Sequence, residues 1–179
     1  MSSPITNRNF LSPTGFLFKI NRSPKVSYFC NSANIPSLDL GLATQPTYLK
    51  DIPIPGDKLQ FGDLSIEFLV DEDLGNYMEI QKWMRGLGYP DSVKEYNDLE
   101  NQKVLPDNMN QGSVYSDAVL QILTSNNLTN FQINFKDIFP TSLSTLTYSA
   151  EDTDVNYFKA SVNFAYLIYN ITDVRGNSL

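Results

Sequence analysis

The chain has 179 residues and a formal net charge of −7, with 41% hydrophobic, 12% aromatic and 18% charged residues. This length fits one domain with a core of its own. A negative net charge without any run of four or more Lys and Arg argues against a protein that grips nucleic acid. The absence of histidine excludes the Ser-His-Asp arrangement and most zinc sites.

The beginning of the chain, MSSPITNRNF, lacks the apolar core of a signal peptide. No apolar run approaches the roughly 20 residues that a membrane helix requires, so we predict no membrane anchor.

Residues 1–15 are polar and contain Pro4 and Pro13, which predicts a flexible N-terminal arm. The single cysteine, Cys30, cannot form an internal disulfide, and we predict a buried, unreactive side chain in a protein of a reducing compartment.

Two apolar stretches near the start predict a β-hairpin, with strands at Phe16–Asn21 and Val26–Ser32 joined by a turn at Pro24. Residues 33–45 are predicted to be irregular. Residues 47–54 are strand-like, residues 55–57 (Pro-Gly-Asp) predict a turn, and residues 59–61 a short return. Because Pro53 and Pro55 cannot donate ladder hydrogen bonds, this segment is predicted to lie at a sheet edge or to project as an arm.

A core strand and a helix follow. Apolar residues alternate from Leu64 to Val70, the pattern of a half-buried strand. The helix is predicted from an apolar stripe at three- and four-residue steps, formed by Tyr77, Ile80, Met84 and Leu87. Trp83 is predicted to pack in the core or at its rim, and Gly86, Gly88 and Pro90 to end the helix.

Two acidic clusters are the only features that suggest chemistry. Asp71-Glu72-Asp73 precedes the helix, where carboxylates cap free N–H groups, and we favour capping over a metal or acid role. Residues 151–154 (Glu-Asp-Thr-Asp) lack the spacing and glycine of a calcium loop and predict a solvated turn. Gly86-Leu-Gly88 follows a helix, whereas a phosphate-binding loop follows a strand. We therefore predict no catalytic residue, no metal and no cofactor.

The second half of the chain is predicted to be β-structure after a long polar loop at residues 89–113. Apolar character resumes at residues 114–124. Strands are predicted at residues 128–136, 146–149 and 155–169, the last being the longest, with a turn at residues 137–140. One face of the last strand carries Lys159, Ser161 and Asn163, which either meet bulk water or line a wet cavity. The predicted fold is a small antiparallel β-sandwich or barrel with one packing helix.

The order of these elements resembles the major tail tube protein of contractile-tailed (myovirus) bacteriophages. The resemblance extends over residues 16–171, read as a single tail-tube barrel domain followed by a C-terminal tail at residues 172–179. It is carried by a strand pair running into a proline-containing loop (FLFKINRSPKVSYFCNSANIP), an arm and strand ending in acids (KDIPIPGDKLQFGDLSIEFLVDED), a helix (NYMEIQKWMRGLG) and a closing strand region beginning LTNFQINFKDIFPTSL.

The resemblance implies a structural virion protein rather than an enzyme. Its subunits would form hexameric rings that stack into the inner tube of a contractile tail, with sheets joined between subunits. Implied partners are other copies of the chain, a tail sheath protein, a tape-measure protein, and baseplate and terminator proteins. DNA would pass through the lumen on ejection without specific binding. The protein would reside in the virion tail after assembly in the host cytoplasm.

The resemblance also implies two sets of functional residues. Contacts with the neighbouring ring are expected from Tyr48, Lys50, Asp51, Ile54, Asp57 and Lys58. The lumen wall is expected to include Lys159, Ser161 and Asn163. Two alternatives stay open: a baseplate tube initiator or tail terminator with the same fold, and a monomeric β-barrel that binds a ligand in a polar cleft.

Overall fold

The computed structural model describes residues 10–101, 114–149 and 157–177, with backbone only for residues 100 and 101. Within these ranges the chain forms nine strands and three helices. In chain order they are β1 (Phe16–Ile20), α1 (Pro24–Tyr28), β2 (Cys30–Ala33), β3 (Leu38–Gln45), β4 (Ile52–Phe61), β5 (Leu64–Leu69), α2 (Gly75–Gly88), α3 (Val93–Asn101), β6 (Ser116–Leu123), β7 (Thr129–Leu143), β8 (Lys159–Ala165) and β9 (Ile168–Asp173).

The main sheet has seven strands in the order β1-β6-β7-β8-β5-β2, and β9 pairs with β7 beside this path. All of its strand pairs are antiparallel. Strands β3 and β4 form a separate two-stranded sheet. The prediction of a mainly β fold with antiparallel sheets and a packing helix is therefore confirmed.

Strand β7 connects the strands β1 and β6 on one side of the main sheet with β8, β5 and β2 on the other. Its first part pairs with β6 on one edge and β9 on the other, while its last residues pair with β8. The register against β7 is unbroken from β8 into β9, since Phe139 lies opposite Ala165 and Lys136 opposite Ile168. Between them the Leu167 amide donates to the Lys136 carbonyl at 3.0 Å. The predicted long final strand is thus two strands, and the start of that prediction, at residues 155–156, lies outside the described residues.

The turn predicted at residues 137–140 is wrong, because β7 continues through it. Asp137 adopts a left-handed conformation, with φ 55°, inside the strand. Its amide donates to the Asp117 carboxylate at 3.2 Å instead of to the ladder, and the register with β6 shifts at this point. The local signals of a turn therefore mark a bulge that bends the strand.

The hairpin predicted at the start of the chain is also wrong. Strand β1 pairs with β6, and β2 pairs with β5. The residues between them form the short helix α1, whose first turn contains Pro24, where a missing N–H costs nothing. Ser27 accepts a hydrogen bond from the Ile20 amide at 2.8 Å and holds this helix against β1. Within α1, Val26 is buried while Tyr28 is exposed.

Three further predictions are corrected by the structure. Residues 33–45 are not irregular throughout, because they contain β3. The predicted loop at 89–113 contains α3, whose Leu99 packs so close to Gly86 of α2 that a Cβ at Gly86 would lie 2.8 Å from the Leu99 Cβ. Residues 102–113 lie outside the described residues. Residues 146–149 form no strand.

The core lies between the inner faces of the main sheet and α2. Strand β5 is confirmed as a core strand, since Leu64, Ile66 and Phe68 are all fully buried. On α2 the most deeply buried side chains include Ile80 and Trp83, whereas the predicted Tyr77, Met84 and Leu87 are half-buried at the margin of the core. The prediction that Trp83 packs in the core is confirmed.

Trp83 joins several elements around it. Its indole Nε1 donates to the Val114 carbonyl at 2.9 Å, so burial leaves this donor satisfied. The Phe164 ring of β8 lies 6.1 Å from it, and the Arg22 guanidinium stands 5.1 Å from the indole centroid. Trp83 therefore fixes α2 against both the sheet and the β1–α1 connection.

The predicted capping of α2 by Asp71-Glu72-Asp73 is wrong. The N-cap position is Leu74, at φ 54°, and no side chain caps the helix there. The acids form a preceding turn closed by a hydrogen bond from the Leu74 amide to the Asp71 carbonyl at 2.9 Å. The predicted end of the helix is confirmed at Gly88, after which Tyr89 takes the left-handed position.

The polar residue that organises the start of α2 is Asn76, which is fully buried. Its Oδ1 accepts from the amides of Asp71 at 3.1 Å and Tyr77 at 2.8 Å. Its Nδ2 donates to the Leu69 carbonyl, at the end of β5, at 2.7 Å. Asn76 thereby joins strand, turn and helix through backbone groups that burial would otherwise leave unpaired.

Candidate assembly surfaces

The β3–β4 hairpin is the largest feature that stands apart from the core. Its strands pair from Leu38 with Phe61 to Gln45 with Ile52, so the tip comprises residues 46–51. In the described residues neither strand pairs with any other strand. The prediction that the proline-containing segment forms an edge or an arm is confirmed.

The turn predicted at Pro55-Gly56-Asp57 is wrong, because these residues lie within β4. The register shifts here, so that Gly56, Asp57 and Lys58 bulge opposite Gly41. The two glycine backbones approach so closely that a Cβ at Gly56 would lie 2.4 Å from the Gly41 carbonyl oxygen. Only glycine fits at position 56, and the chain bends there instead of reversing.

The hairpin exposes an unusual amount of apolar surface. Its large hydrophobic side chains with high exposure are Leu38, Leu40, Leu42, Tyr48, Leu49, Ile52, Ile54 and Leu59. Tyr48 and Leu49, at the tip, are 101% and 91% exposed. Exposed apolar side chains concentrated in one hairpin are typical of a surface that another molecule covers.

The residues predicted to contact a neighbouring ring are distributed along this hairpin, and all of them are exposed. Tyr48, Lys50 and Asp51 lie together at the tip. There the Thr47 hydroxyl donates to the Lys50 carbonyl and accepts from the Lys50 amide, which orders the turn.

The other three predicted contact residues lie lower on β4. Ile54 lies opposite Ala43 in the ladder, and Asp57 and Lys58 belong to the bulge. The structure therefore brings the predicted residues together as two groups on one hairpin, one at the tip and one at the bulge, with Ile54 between them.

The root of the hairpin is held by aromatic side chains that the sequence did not indicate. Phe61 lies 5.5 Å from Tyr169 and 6.1 Å from Tyr166, measured between ring centroids. The Tyr166 hydroxyl donates to the Gly62 carbonyl at 2.8 Å, and burial raises the pKa of Tyr166 to about 12. In the sequence, these contacts were indicated only by the aromatic residues of FAYLIY at the β8–β9 junction, a pattern that ordinary core packing produces equally well.

The second candidate surface is the polar face of β8 and β5. Ala160, Val162 and Phe164 are buried, so the alternating residues Lys159, Ser161 and Asn163 lie on the face away from the core. They stand opposite Leu69, Glu67 and Ser65 of β5. The predicted division of this strand into an apolar and a polar face is confirmed.

Glu67 is the centre of the polar interactions on this face. Its Oε1 accepts from Asn31 Nδ2 at 2.9 Å and lies 3.3 Å from Lys159 Nζ. The hydrogen bond from Asn31, followed by that from Lys159, lowers the pKa of the Glu67 carboxyl. Because Lys159 and Glu67 neutralise each other, the excess negative charge of the chain is not concentrated at this pair.

Several sheet edges lack a second partner within the described ranges. They are β1, β2, β9 on the side away from β7, and residues 139–143 of β7 on the side away from β8. An unpaired edge presents free N–H and C=O groups that can bind a strand of another molecule.

The described residues offer little for other chemistry. Cys30 is half-buried, and burial raises the pKa of its thiol to about 11, so the thiol stays protonated at neutral pH. No group of three or more potential metal ligands occurs among the residues with described positions. None of the helices there is long and apolar enough to span a membrane. The acidic cluster at residues 151–154 lies outside the described residues.

Comparison with known proteins adds a family and a fold. The family model described as "Phage tail tube protein" matches residues 3–172. No curated protein matches the chain.

Three solved structures resemble the chain over nearly its whole length. The tube terminating cap of the anti-feeding prophage has a TM-score of 0.59 at 13% identity, covering 96% of this chain and 97% of that one. The sheath-tube complex of an extracellular contractile injection system in its extended state has a TM-score of 0.55 at 15% identity, covering 93% and 94%. The anti-feeding prophage baseplate has a TM-score of 0.54 at 13% identity, covering 98% and 99%. At these identities the likeness shows a shared fold.

Proposed function

The chain belongs to the phage tail tube protein family, and we propose that it is the repeated subunit of the inner tube of a contractile phage tail. In this role copies of the chain form hexameric rings, the rings stack, and DNA leaves the virion through the central channel. The protein then resides in the tail of the virion after assembly in the host cytoplasm.

The observation that carries this proposal is the β3–β4 hairpin. The hairpin exposes apolar side chains such as Leu42, Tyr48 and Leu49, and its root is fixed by Phe61 and Tyr166. In a monomer these side chains would stay in contact with water, whereas in an assembly a second molecule covers them. A rigid root with an apolar tip is suited to holding another molecule at a defined distance. Within a tube, the hairpin contacts the next ring through Tyr48, Lys50, Asp51, Ile54, Asp57 and Lys58.

The unpaired sheet edges supply the contacts within a ring. Among the described strands, β9 and residues 139–143 of β7 each lack a partner on one side. Pairing such an edge with a strand of the adjacent subunit would join the sheets around the ring. It would also remove the edges that make an isolated β-protein prone to aggregation.

In the tube, the polar face of β8 lines the channel with Lys159, Ser161 and Asn163. Because Lys159 is paired with Glu67, this part of the wall presents hydroxyl and amide groups with little net charge. Passing DNA would find neither a cluster of lysines to bind nor a strong repulsive field.

The solved structures with the same fold come from assemblies with a sheath, a terminating cap and a baseplate. We extend these partners to this chain: further copies of itself, a sheath protein outside the tube, a tape-measure protein within it, and baseplate and terminator proteins at its ends. All of these partners would bind the chain as a structural subunit, and the proposal includes no enzymatic activity and no cofactor.

The cap and baseplate matches favour one alternative, a terminator or initiator that occupies one end of the tube. Such a protein forms one ring and does not continue to stack. The two readings therefore differ in whether the purified chain grows beyond a single ring.

The test is negative-stain electron microscopy of the purified chain over a concentration series, with sedimentation velocity on the same samples. We expect stacked rings or tubes with a stain-filled channel, and six-fold end-on views. Single rings at every concentration would favour the terminator or initiator. A monomer at every concentration would overturn the tube proposal in favour of a monomeric β-barrel that binds a ligand.

The lumen assignment has its own test. In a Cys30→Ser background, Ser161→Cys places a thiol on the polar face of β8, and Lys94→Cys places one on the exposed surface of α3. A maleimide coupled to a large globular protein should label both variants before assembly but only Lys94→Cys in intact tubes. Equal labelling of Ser161→Cys in tubes would contradict a lumen position.

A further inference from the structure

An open apolar groove of about 600 Å³ lies at one end of the main sheet. Its lining is mainly apolar and aromatic and includes Phe29, Leu69, Leu74, Tyr148 and Phe158, together with the carboxylates of Asp71 and Glu72. The Tyr148 and Phe158 rings stand 4.7 Å apart and form one wall.

The groove and the hairpin lie at opposite ends of β5. Both legs of the hairpin leave the sheet at the Leu64 end, where Asn34 bonds to Ser65 and the Gly62 amide donates to Ser37. The groove is built from the residues at the other end: Phe29 before β2, Leu69 at the end of β5, and Phe158 before β8. A strand of six residues separates the groove from the root of the hairpin by about 20 Å.

The tip of the hairpin has the chemistry that fits the groove. Tyr48 and Leu49 are almost fully exposed, and Lys50 follows them directly. The groove offers apolar and aromatic walls for the first two side chains, and its lining includes the Asp71 and Glu72 carboxylates for the ammonium group. Apolar surface and charge are therefore complementary between two parts of the same chain.

We propose that this groove receives the hairpin tip of a second copy of the chain, in the stack that the proposed function requires. Because donor and acceptor occupy opposite ends of β5, each copy can use its tip on one neighbour and its groove on the other. Contacts between two different patches of one molecule are heterologous, and they continue into an open stack unless the rotation closes them. Every copy carries one tip and one groove, so the stoichiometry is satisfied along the whole polymer.

Cysteine cross-linking tests the docking directly. In the Cys30→Ser background, Asp51→Cys puts a thiol beside the tip and Asp73→Cys puts one beside Glu72 at the groove. Neither change removes Tyr48, Leu49, Lys50 or a residue that lines the groove. The two variants are mixed, assembled and oxidised, and a short tag on one of them identifies the mixed dimer on a non-reducing gel.

We expect the mixed Asp51→Cys/Asp73→Cys dimer to exceed either homodimer, and to be absent when Lys94→Cys on α3 replaces Asp73→Cys. Tubes that form without this cross-link would overturn the docking and leave the tube function intact. That result would also arise if a small apolar molecule or the chain's own residues 150–156 occupied the groove. A wild-type chain that never assembles would overturn the proposed function and the docking with it.

A charge exchange gives a second, independent readout. Lys50→Glu or Glu72→Lys alone should raise the critical concentration for tube formation by about tenfold or more, because like charges then meet in the groove. The double variant should restore most of the loss, while Lys94→Glu should change nothing. Equal losses in the single and double variants would contradict the pairing, and an unchanged melting temperature throughout would confirm that the fold is intact.

Discussion

Strands β4 and β5 follow one another with only Gly62 and Asp63 between them, yet the apolar side chains of β4 are exposed and those of β5 are buried. In β5, Leu64, Ile66 and Phe68 are all 0% exposed. In β4, Ile52, Ile54 and Leu59 are 49%, 40% and 46% exposed. Apolar composition alone therefore does not decide burial: the β5 side chains belong to the buried core cluster of the main sheet, whereas among the described strands β4 pairs only with β3.

The difference separates two kinds of stabilisation. Apolar groups of the sheet body contribute to the free energy of unfolding of one chain, at roughly 25 cal/mol per Å² removed from water. The apolar groups of the hairpin contribute only when a second molecule covers them. Substitutions in the two regions should thus register in different experiments, melting of the monomer in one case and assembly in the other.

The largest change in the free energy of unfolding should come from the core of the main sheet. Trp83→Ala removes a fully buried ring that contacts Phe164 and donates to the Val114 carbonyl. We expect a loss of about 3–5 kcal/mol in the free energy of unfolding, measured by urea denaturation. The matched change on the hairpin, Leu42→Ala, should stay within about 0.5 kcal/mol of wild type. Equal destabilisation by both would break the distinction between body and arm.

A smaller loss is expected at the start of α2. Asn76→Ala leaves the Leu69 carbonyl and the Asp71 amide without the partner they have now. Buried unpaired groups cost about 1–3 kcal/mol, so thermal unfolding should begin at a lower temperature. The control Asn97→Ala, at an exposed position of α3, should have little effect. If the two variants melted alike, the bridging role of Asn76 would be refuted.

A substitution at the root of the hairpin should lower the free energy of unfolding by an intermediate amount, about 1 kcal/mol. Tyr166→Phe removes the hydroxyl that donates to the Gly62 carbonyl and keeps the ring against Phe61. We expect faster amide exchange at residues 59–62, at and just after the end of β4, with exchange in β5 unchanged. In wild type, ultraviolet titration should show one tyrosine ionising near pH 12, because burial raises the pKa of Tyr166 to about 12. Loss of that late step in the variant would assign it.

The smallest effect should arise on the polar face. The pKa of Glu67 is lower in the folded chain, because Asn31 and Lys159 hydrogen-bond to its carboxylate. Its contribution is therefore complete above the unfolded-state pKa and is lost as pH falls through the folded-state pKa. Between pH 7 and pH 3, wild type should lose slightly more stability than Glu67→Gln, by at most about 1 kcal/mol. A larger loss in Glu67→Gln would reverse the assigned sign.

Local patterns in the sequence predicted the parts of the fold that depend on local physics. The alternation from Leu64 to Val70, the end of α2 at Gly88 and the projecting proline-containing segment are all present in the structure. Each follows from a side-chain period or a missing N–H that acts within a few residues.

The failures occur where distant residues override the local signal. Pro24 indicated a turn between two strands, but β1 finds its partner in β6, about 100 residues later, and Pro24 starts a helix. Pro55-Gly56 indicated a reversal, but the close contact with Gly41 allows the strand to continue. The acids before α2 matched a capping signature, while Asn76 performs the bridging from inside the helix.

The candidate surfaces were predicted only in part. The exposure of the proline-containing segment and the polar face of β8 could be predicted, because prolines mark an edge or arm and alternation separates the two faces of a strand. The contacts assigned to these residues came from the family resemblance and stay predictions. The groove could not, since Phe29, Leu74 and Tyr148 come from separate parts of the chain and converge only through the pairing of β2, β5 and β8. No spacing in the sequence encodes that convergence.

The pairing of β7 with both β8 and β9, in one register across the junction from β8 to β9, has a mechanical consequence. A pull on the hairpin is transmitted along β4 into β5, which is antiparallel to β8 through six residue pairs, and β8 in turn pairs with β7. A load along the strands therefore acts on these hydrogen bonds in shear, so they must break together rather than one after another. The bulge at Asp137 bends this path without cutting it, and a tension applied at the arm is shared by the whole sheet.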